Sequence, residues 1–245
     1  MKRRTIQTIL GLFILLIPSA GFAQEVVEQK KKKESFRKQL RRTTNEQINL
    51  LYSGGALLVR LQTKRASIEA LRERGNFELA DKIEEEQREL NQEIVNGFKT
   101  NFDFCKTYFF YSYYSKYVKN GQLDSVAFLD KNLEVDTSIS VGNNGFLTAE
   151  FGKAKQAPGK YYENYETIQG EGDVTRRKKY YGEPNMGFRA LIIKDDQFVQ
   201  LRKPFPYYVR TLSSFIFIKR KPHKTIARMN EQLHKFFRRS NYRRK

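Results

Sequence analysis

Nucleophilic catalysis in this chain would have to come from Cys105, the one cysteine among 245 residues, with His223 or His234 as its base. Cys105 lies inside an aromatic run, Phe102 to Tyr114, where a cysteine usually serves as a small buried hydrophobe. The two histidines stand in a strongly basic segment that repels metal cations, and catalytic zinc normally takes three protein ligands. Asp195-Asp196 is turn chemistry. Gly170-Glu171-Gly172 lacks the strand before it and the helix after it that a phosphate-binding loop requires. The sequence therefore assigns no catalytic, cofactor-binding or metal-binding residue, and no cofactor.

The side chains whose spacing does suggest a chemistry are cations. Lysine and arginine number 46 against 27 acidic residues, a net charge of +19. They cluster at the two ends. Residues 30 to 42 hold eight basic residues and one acidic: Lys30, Lys31, Lys32, Lys33, Arg37, Lys38, Arg41 and Arg42, with Glu34. Residues 219 to 245 hold eleven basic and one acidic, and Arg238, Arg239, Arg243, Arg244 and Lys245 lie at the very end. Such clusters predict salt-dependent attachment to an anionic membrane surface or an acidic envelope protein complex. Near a charged surface each cation adds on the order of 1 kcal/mol. The alternative is a solvated, solubilising surface. Aromatic-basic stretches such as Tyr113 to Lys119 and Arg176 to Tyr181 could stack on bases or sugars. The absence of Trp weighs against sugar.

Nucleic acid is the less expected partner because the chain opens like an exported protein. Lys2, Arg3 and Arg4 precede an apolar run from Ile9 to Ile17. Pro18 and Ser19 break it, and Gly21-Phe22-Ala23 supplies small residues at a cleavage site. The run is about half the length of a membrane-spanning helix, so no span is expected in the mature chain. Cleavage after Ala23 leaves 43 basic against 27 acidic residues, or +16. The Ala23-Gln24 junction resembles those of exported proteins of the Bacteroidota. One cysteine permits no internal disulfide, so the core must hold the fold.

Residues 24 to 55 are expected to form a basic polar helix or arm, interrupted at Ser53-Gly54-Gly55. A helical hairpin is expected over 56 to 100. Its first arm carries Leu57, Leu58, Leu61, Ile68 and Leu71; its second carries Leu79, Ile83, Leu90, Ile94 and Phe98. Gly75-Asn76 is the turn, with Asn76 suited to cap the second helix. Leu71 to Leu90 resembles the short helical hairpins of nuclease-subunit interaction modules, which implies partner binding. Packing on its own domain is the alternative.

A sheet domain is expected over 101 to 240, with a basic tail at 241 to 245. The aromatic run predicts a central strand covered on both faces. Further strands are expected at Ser125 to Leu129, Ile139 to Val141, Phe146 to Phe151, Phe188 to Ile193, Phe198 to Leu201 and from Tyr207 to Ile218. Residues 152 to 187 read as a long exposed loop. Pro222 introduces a final helix whose buried stripe is Ile226, Met229, Leu233 and Phe236.

With Tyr108 to Tyr111 as first strand, Phe188 to Leu201 as a strand-turn-strand unit and a closing helix from Lys224, the sheet resembles the thioredoxin-like fold. Ser112-Tyr113-Tyr114-Ser115 stands where that family carries two cysteines, which excludes disulfide exchange. The family's proline before the hairpin is missing too.

The fold class expected is α+β: an N-terminal helical hairpin, then a mixed β-sheet domain with a C-terminal helix. The function expected is a non-enzymatic, exported cell-envelope binding protein, periplasmic rather than secreted, and a soluble component of an outer-membrane-associated complex. An enzyme, such as a hydrolase, on a degraded thioredoxin-like scaffold is the alternative.

Overall fold

A computed structural model of the chain describes residues 36–154, 188–212 and 220–242. The expected signal peptide, Lys30 to Lys33, residues 155–187 of the expected loop, residues 213–218 and the terminal Arg243, Arg244 and Lys245 lie outside the described residues. The chain divides into two units at Leu40; the first contributes only residues 36–40, and the sheet with the core that covers it belongs to the second, Arg41–Lys245.

Strand β1 (Ala56–Leu61) carries five apolar residues in six, all buried. A strand apolar on both faces must be covered on both, the position of a parallel strand at the middle of a sheet. β1 pairs in parallel with β2 (Lys106–Tyr111) on one side and β4 (Phe146–Ala154) on the other. β3 (Phe128–Leu129) closes the β2 edge antiparallel. β5 (Phe188–Lys194) and β6 (Tyr208–Arg210) extend the other edge antiparallel, in the order β3-β2-β1-β4-β5-β6.

Parallel β1 and β2 need a crossover. It is made by α2 (Arg65–Glu73) and α3 (Phe77–Asn101), after helix α1 (Phe36–Tyr52) has led into the sheet. Leu57, Val59 and Leu61 point to one face. There they meet Ile48 and Leu51 of α1, Ile94, Val95 and Phe98 of α3, and Ile226, Met229 and Leu233 of α5 (Pro222–Tyr242) in one apolar cluster. Ala56 and Leu58 point to the opposite face, with Phe110, Phe128 and Val118 of the short helix α4 (Ser115–Lys119). The α3 and α5 backbones approach closely at Gly97, where a Cβ would stand 2.8 Å from Ile226 Cδ1 and 3.2 Å from the His223 Cα.

Several expectations change. The hairpin does not begin at residue 56: Leu57, Leu58 and Leu61 belong to a strand, and the helix pair starts at Arg65. A short apolar run fits either element until a sheet takes it. The hairpin is thus an insertion between two strands of the sheet, and the chain does not run helices first, sheet second. The architecture is mixed α/β, with the expected mixed sheet and C-terminal helix. Tyr108 to Tyr111 falls in the second strand; the first is Ala56–Leu61. The aromatic run forms a strand only over Lys106–Tyr111 and continues as a 3-10 turn, Ser112–Tyr114. Ile139 to Val141 and Phe198 to Leu201 form no strand, although an isolated bridge joins Lys194 to Gln200. Asn76 sits at the start of α3 without a side-chain capping bond. The Gly75 turn, the Asp195-Asp196 turn, β4, β5 and the α5 stripe are where the sequence puts them. Along α3 the apolar stripe fades outward: Phe98 and Ile94 are buried, whereas Leu79 and Phe77 at the tip are exposed.

The contact at Gly97 gives a measurable asymmetry between two glycines. Gly97→Val forces α3 from α5 and is expected to cost about 2–3 kcal/mol, a fall in Tm of roughly 5–10 °C for a chain of this size. Gly75→Ala meets open space but keeps φ at +76°, and should cost only about 1 kcal/mol. Thermal melts that rank the two the other way would contradict the close helix crossing.

Candidate anion-binding crevice

From β1 the chain leaves to one side, through α2 and α3, to β2; it later returns on the other side as β4. Chain segments leaving two such neighbours diverge, and a crevice opens at the carboxyl ends of the strands where their order reverses. In this molecule that crevice encloses about 370 Å³. Gln62 and Lys64 follow β1 into it, Phe151, Gly152 and Lys153 end β4, and Arg189 and Ala190 begin β5. Leu90 and Ile94 of α3 supply an apolar wall, and Arg220 and Pro222 bring in the start of α5. Proline at the first helical position suits an end whose N–H groups are unpaired, and the helix dipole adds positive potential there.

The α3 wall is pinned to the end of β1. Asn91 Nδ2 donates to the Gln62 carbonyl at 2.9 Å, and Gln87 Nε2 donates to Asn91 Oδ1 at 3.1 Å, both side chains being buried. Arg220 is held by its own backbone N–H on the Thr211 carbonyl and by Nη1 on the Arg210 carbonyl, 2.8 Å away.

Four cations line this space from the crevice side, Lys64, Lys153, Arg189 and Arg220, whereas the Arg60 side chain follows Ala56 and Leu58 to the opposite face of the sheet. Among the described lining residues there is no Asp or Glu. Lys153 and Arg189 are register partners on β4 and β5, and like charges directly opposite are unfavourable. No carboxylate among the described residues lies within ion-pair distance of Lys64, Lys153, Arg189 or Arg220.

Arg60 alone has an acidic partner, outside the lining. Its Nη1 donates to Glu150 Oε2 at 2.7 Å, while Lys194 Nζ donates to Glu150 Oε1. Its guanidinium carbon lies 5.5 Å from the centre of the Phe198 ring. Burial pushes the Glu150 carboxyl up, but the hydrogen bond and charge of Lys194, and then Arg60, outweigh it and hold the group below the usual carboxylate range. The Nε–H of Arg60 is buried and has no acceptor among the described residues. The guanidinium lies with Phe198 on the sheet face that carries Ala56 and Leu58, not on the face covered by α3 and α5.

The residues singled out from the sequence lie elsewhere. Lys38, Arg41 and Arg42 are exposed on α1, Arg37 falls within the same helix, and Arg42 lies 3.8 Å from Glu46. Arg238 and Arg239 are exposed on the last turns of α5. Tyr52 stacks on Phe237 at 3.7 Å, so α5's basic end meets the close of α1; Arg41 and Arg42 begin roughly 15 Å back along that helix. The crevice cations were not singled out, because they are scattered over two strands and two loops.

The cysteine and histidine set does not assemble into a nucleophile. Desolvation pushes the Cys105 thiol up to about 12, so it stays protonated at neutral pH. His234 Nε2 is 2.7 Å from Asp103 Oδ1, which also accepts from Asn230 Nδ2 at 2.8 Å. His234 first, then Asn230, hold the Asp103 carboxyl below its ordinary value. Asn230 in turn accepts the Phe104 N–H, so this cluster fastens α5 to the entry of β2. Among the described residues no helix is long and apolar enough to cross a membrane. No family model matches the chain, and neither a curated protein nor a solved structure does.

The Glu150 cluster makes a pH-dependent contribution to stability. Its carboxyl is depressed, so the contribution is complete at neutral pH and is lost as pH falls below the ordinary glutamate value, about 4.3. Glu150→Gln, which leaves Arg60 and Lys194 without their counter-charge, should cost about 3 kcal/mol at pH 7. The gap between the two proteins in denaturant titrations should shrink at pH 3; an unchanged gap would mean that the charge of Glu150 does not matter.

Proposed function

We propose that this chain is an exported, non-enzymatic cell-envelope protein that acts by binding an anionic ligand in the crevice between β1 and β4. One observation carries the reading: four cations, Lys64, Lys153, Arg189 and Arg220, line a concave space in which no described lining residue is acidic. Assembling like charges costs free energy that an anion returns on binding, and a partly enclosed site screens that attraction less than open solvent does. The apolar wall with cations at its border is the furnishing of a ligand pocket: mostly apolar surface with a few charged groups. Export rests on the tripartite leader of residues 1–23, and the periplasm is the compartment proposed. The exposed cations at the two ends, Lys38, Arg41 and Arg42 on α1 and Arg238 and Arg239 on α5, would hold the protein near an anionic membrane face or an acidic partner of an outer-membrane-associated complex. A thioredoxin-like origin of the sheet would leave this reading intact, since the only thiol is half-buried and stays protonated.

Isothermal titration with pyrophosphate at low ionic strength tests the binding. Saturable uptake is expected, weakening as salt is raised. The double substitution Lys153→Glu/Arg189→Glu, at two exposed positions, should lower affinity at least tenfold. Arg238→Glu/Arg239→Glu should leave it unchanged. If the wild type and the crevice variant bind alike, the crevice is not the site. Pyrophosphate recovered as phosphate would instead favour the hydrolase. Cell fractionation should recover the protein in the periplasm; recovery in the cytoplasm would refute export.

A further inference from the structure

The charges occupy only part of the crevice. Leu90 and Ile94 of α3, Phe151 of β4 and Pro222 of α5 give the same space apolar walls. A small hydrophilic anion would engage the cations and leave these walls wetted. An apolar body attached to the anion would cover them. The volume of about 370 Å³ corresponds to roughly a dozen water-sized volumes of about 30 Å³ each. That accommodates a ligand of about a dozen non-hydrogen atoms, too small for a folded partner or a diacyl lipid.

Resting on the anion-binding reading of this crevice, we infer that it takes an amphipathic anion: a carboxylate or phosphate head on a single alkyl body of about eight to ten carbons. The head meets the cation pair Lys153 and Arg189, and the alkyl body lies along Leu90, Ile94 and Phe151. The cations suit both head groups, because each offers oxygen acceptors to a guanidinium. Discrimination comes from length. Each buried methylene is worth about 0.8 kcal/mol, which is roughly a fourfold gain in affinity per carbon until the space is filled.

Titration of the intact protein with a series of alkyl phosphates and alkyl carboxylates, kept below their micelle concentrations, tests the inference. Affinity should climb roughly fourfold per methylene from butyl to octyl and level off beyond about ten carbons. Octyl phosphate should exceed inorganic phosphate by well over a hundredfold. Leu90→Gln, at a half-buried position, should flatten the length dependence. If every chain length binds like inorganic phosphate, the amphipathic ligand is refuted and the anion site stands. If neither phosphate, pyrophosphate nor any alkyl anion binds, both fall. Steepening that continues through hexadecyl would refute the size limit, and binding to phosphatidylglycerol vesicles that octyl phosphate does not compete away would place the lipid contact at the basic ends.

Discussion

Ala56–Leu61 is covered on both faces and hydrogen-bonded along both edges, and the other elements take their places around it. Its two apolar faces require two covering layers. Helices α1, α3 and α5 supply one; α4 and the residues around Phe128 supply part of the other. Its two parallel neighbours require crossovers, and the first of these is the helical hairpin. The reversal of strand order beside β1 then opens the crevice. The position of the candidate site thus derives from the burial of a single hydrophobic strand.

Arg60 is the exception within that strand. A guanidinium at an interior strand needs a counter-charge, and Glu150 on the paired residue of β4 provides it, with Lys194 of β5 on the other carboxylate oxygen. One carboxylate is shared by two cations, so this buried cluster carries net positive charge. An ion cluster of this kind contributes less to stability than to fixing the register of three strands, because desolvation offsets much of the attraction.

The hairpin shows a second division of charge. Residues 69 to 93 hold nine of the 27 acidic residues, in a chain whose net charge is +19. Part of that acidity is neutralised internally: Arg72 of α2 reaches Asp81 at 3.0 Å and Glu84 at 2.7 Å on α3. These exposed pairs are screened by solvent and add little to stability. The hairpin is anchored by Ile94, Val95 and Phe98 at its base, and toward the tip it holds together through Ile68, Ala80 and such pairs. It packs on its own sheet at one end and projects at the other.

Legibility differed by the range of the forces involved. The α5 stripe of Ile226, Met229 and Leu233, the Gly75 turn and strands β4 and β5 were readable, because helix period, turn chemistry and alternation are local properties of neighbouring residues. The basic character of the chain was equally plain from composition. The run at residues 56–61 was not: six residues with five apolar side chains satisfy a strand and a helix alike, and the choice fell to pairing with β2 and β4, fifty and ninety positions away. The same holds for the candidate site. The sequence showed cations where they are dense, at the two ends. Lys64, Lys153 and Arg189 are each ordinary in their own neighbourhoods, and Arg220 is one of many cations in the basic stretch 219–245. Only the parallel arrangement of β1 and β4, with β5 folded back beside them and α5 closing over, concentrates them around one volume, because charge density in space depends on strand order and register, which no local pattern encodes.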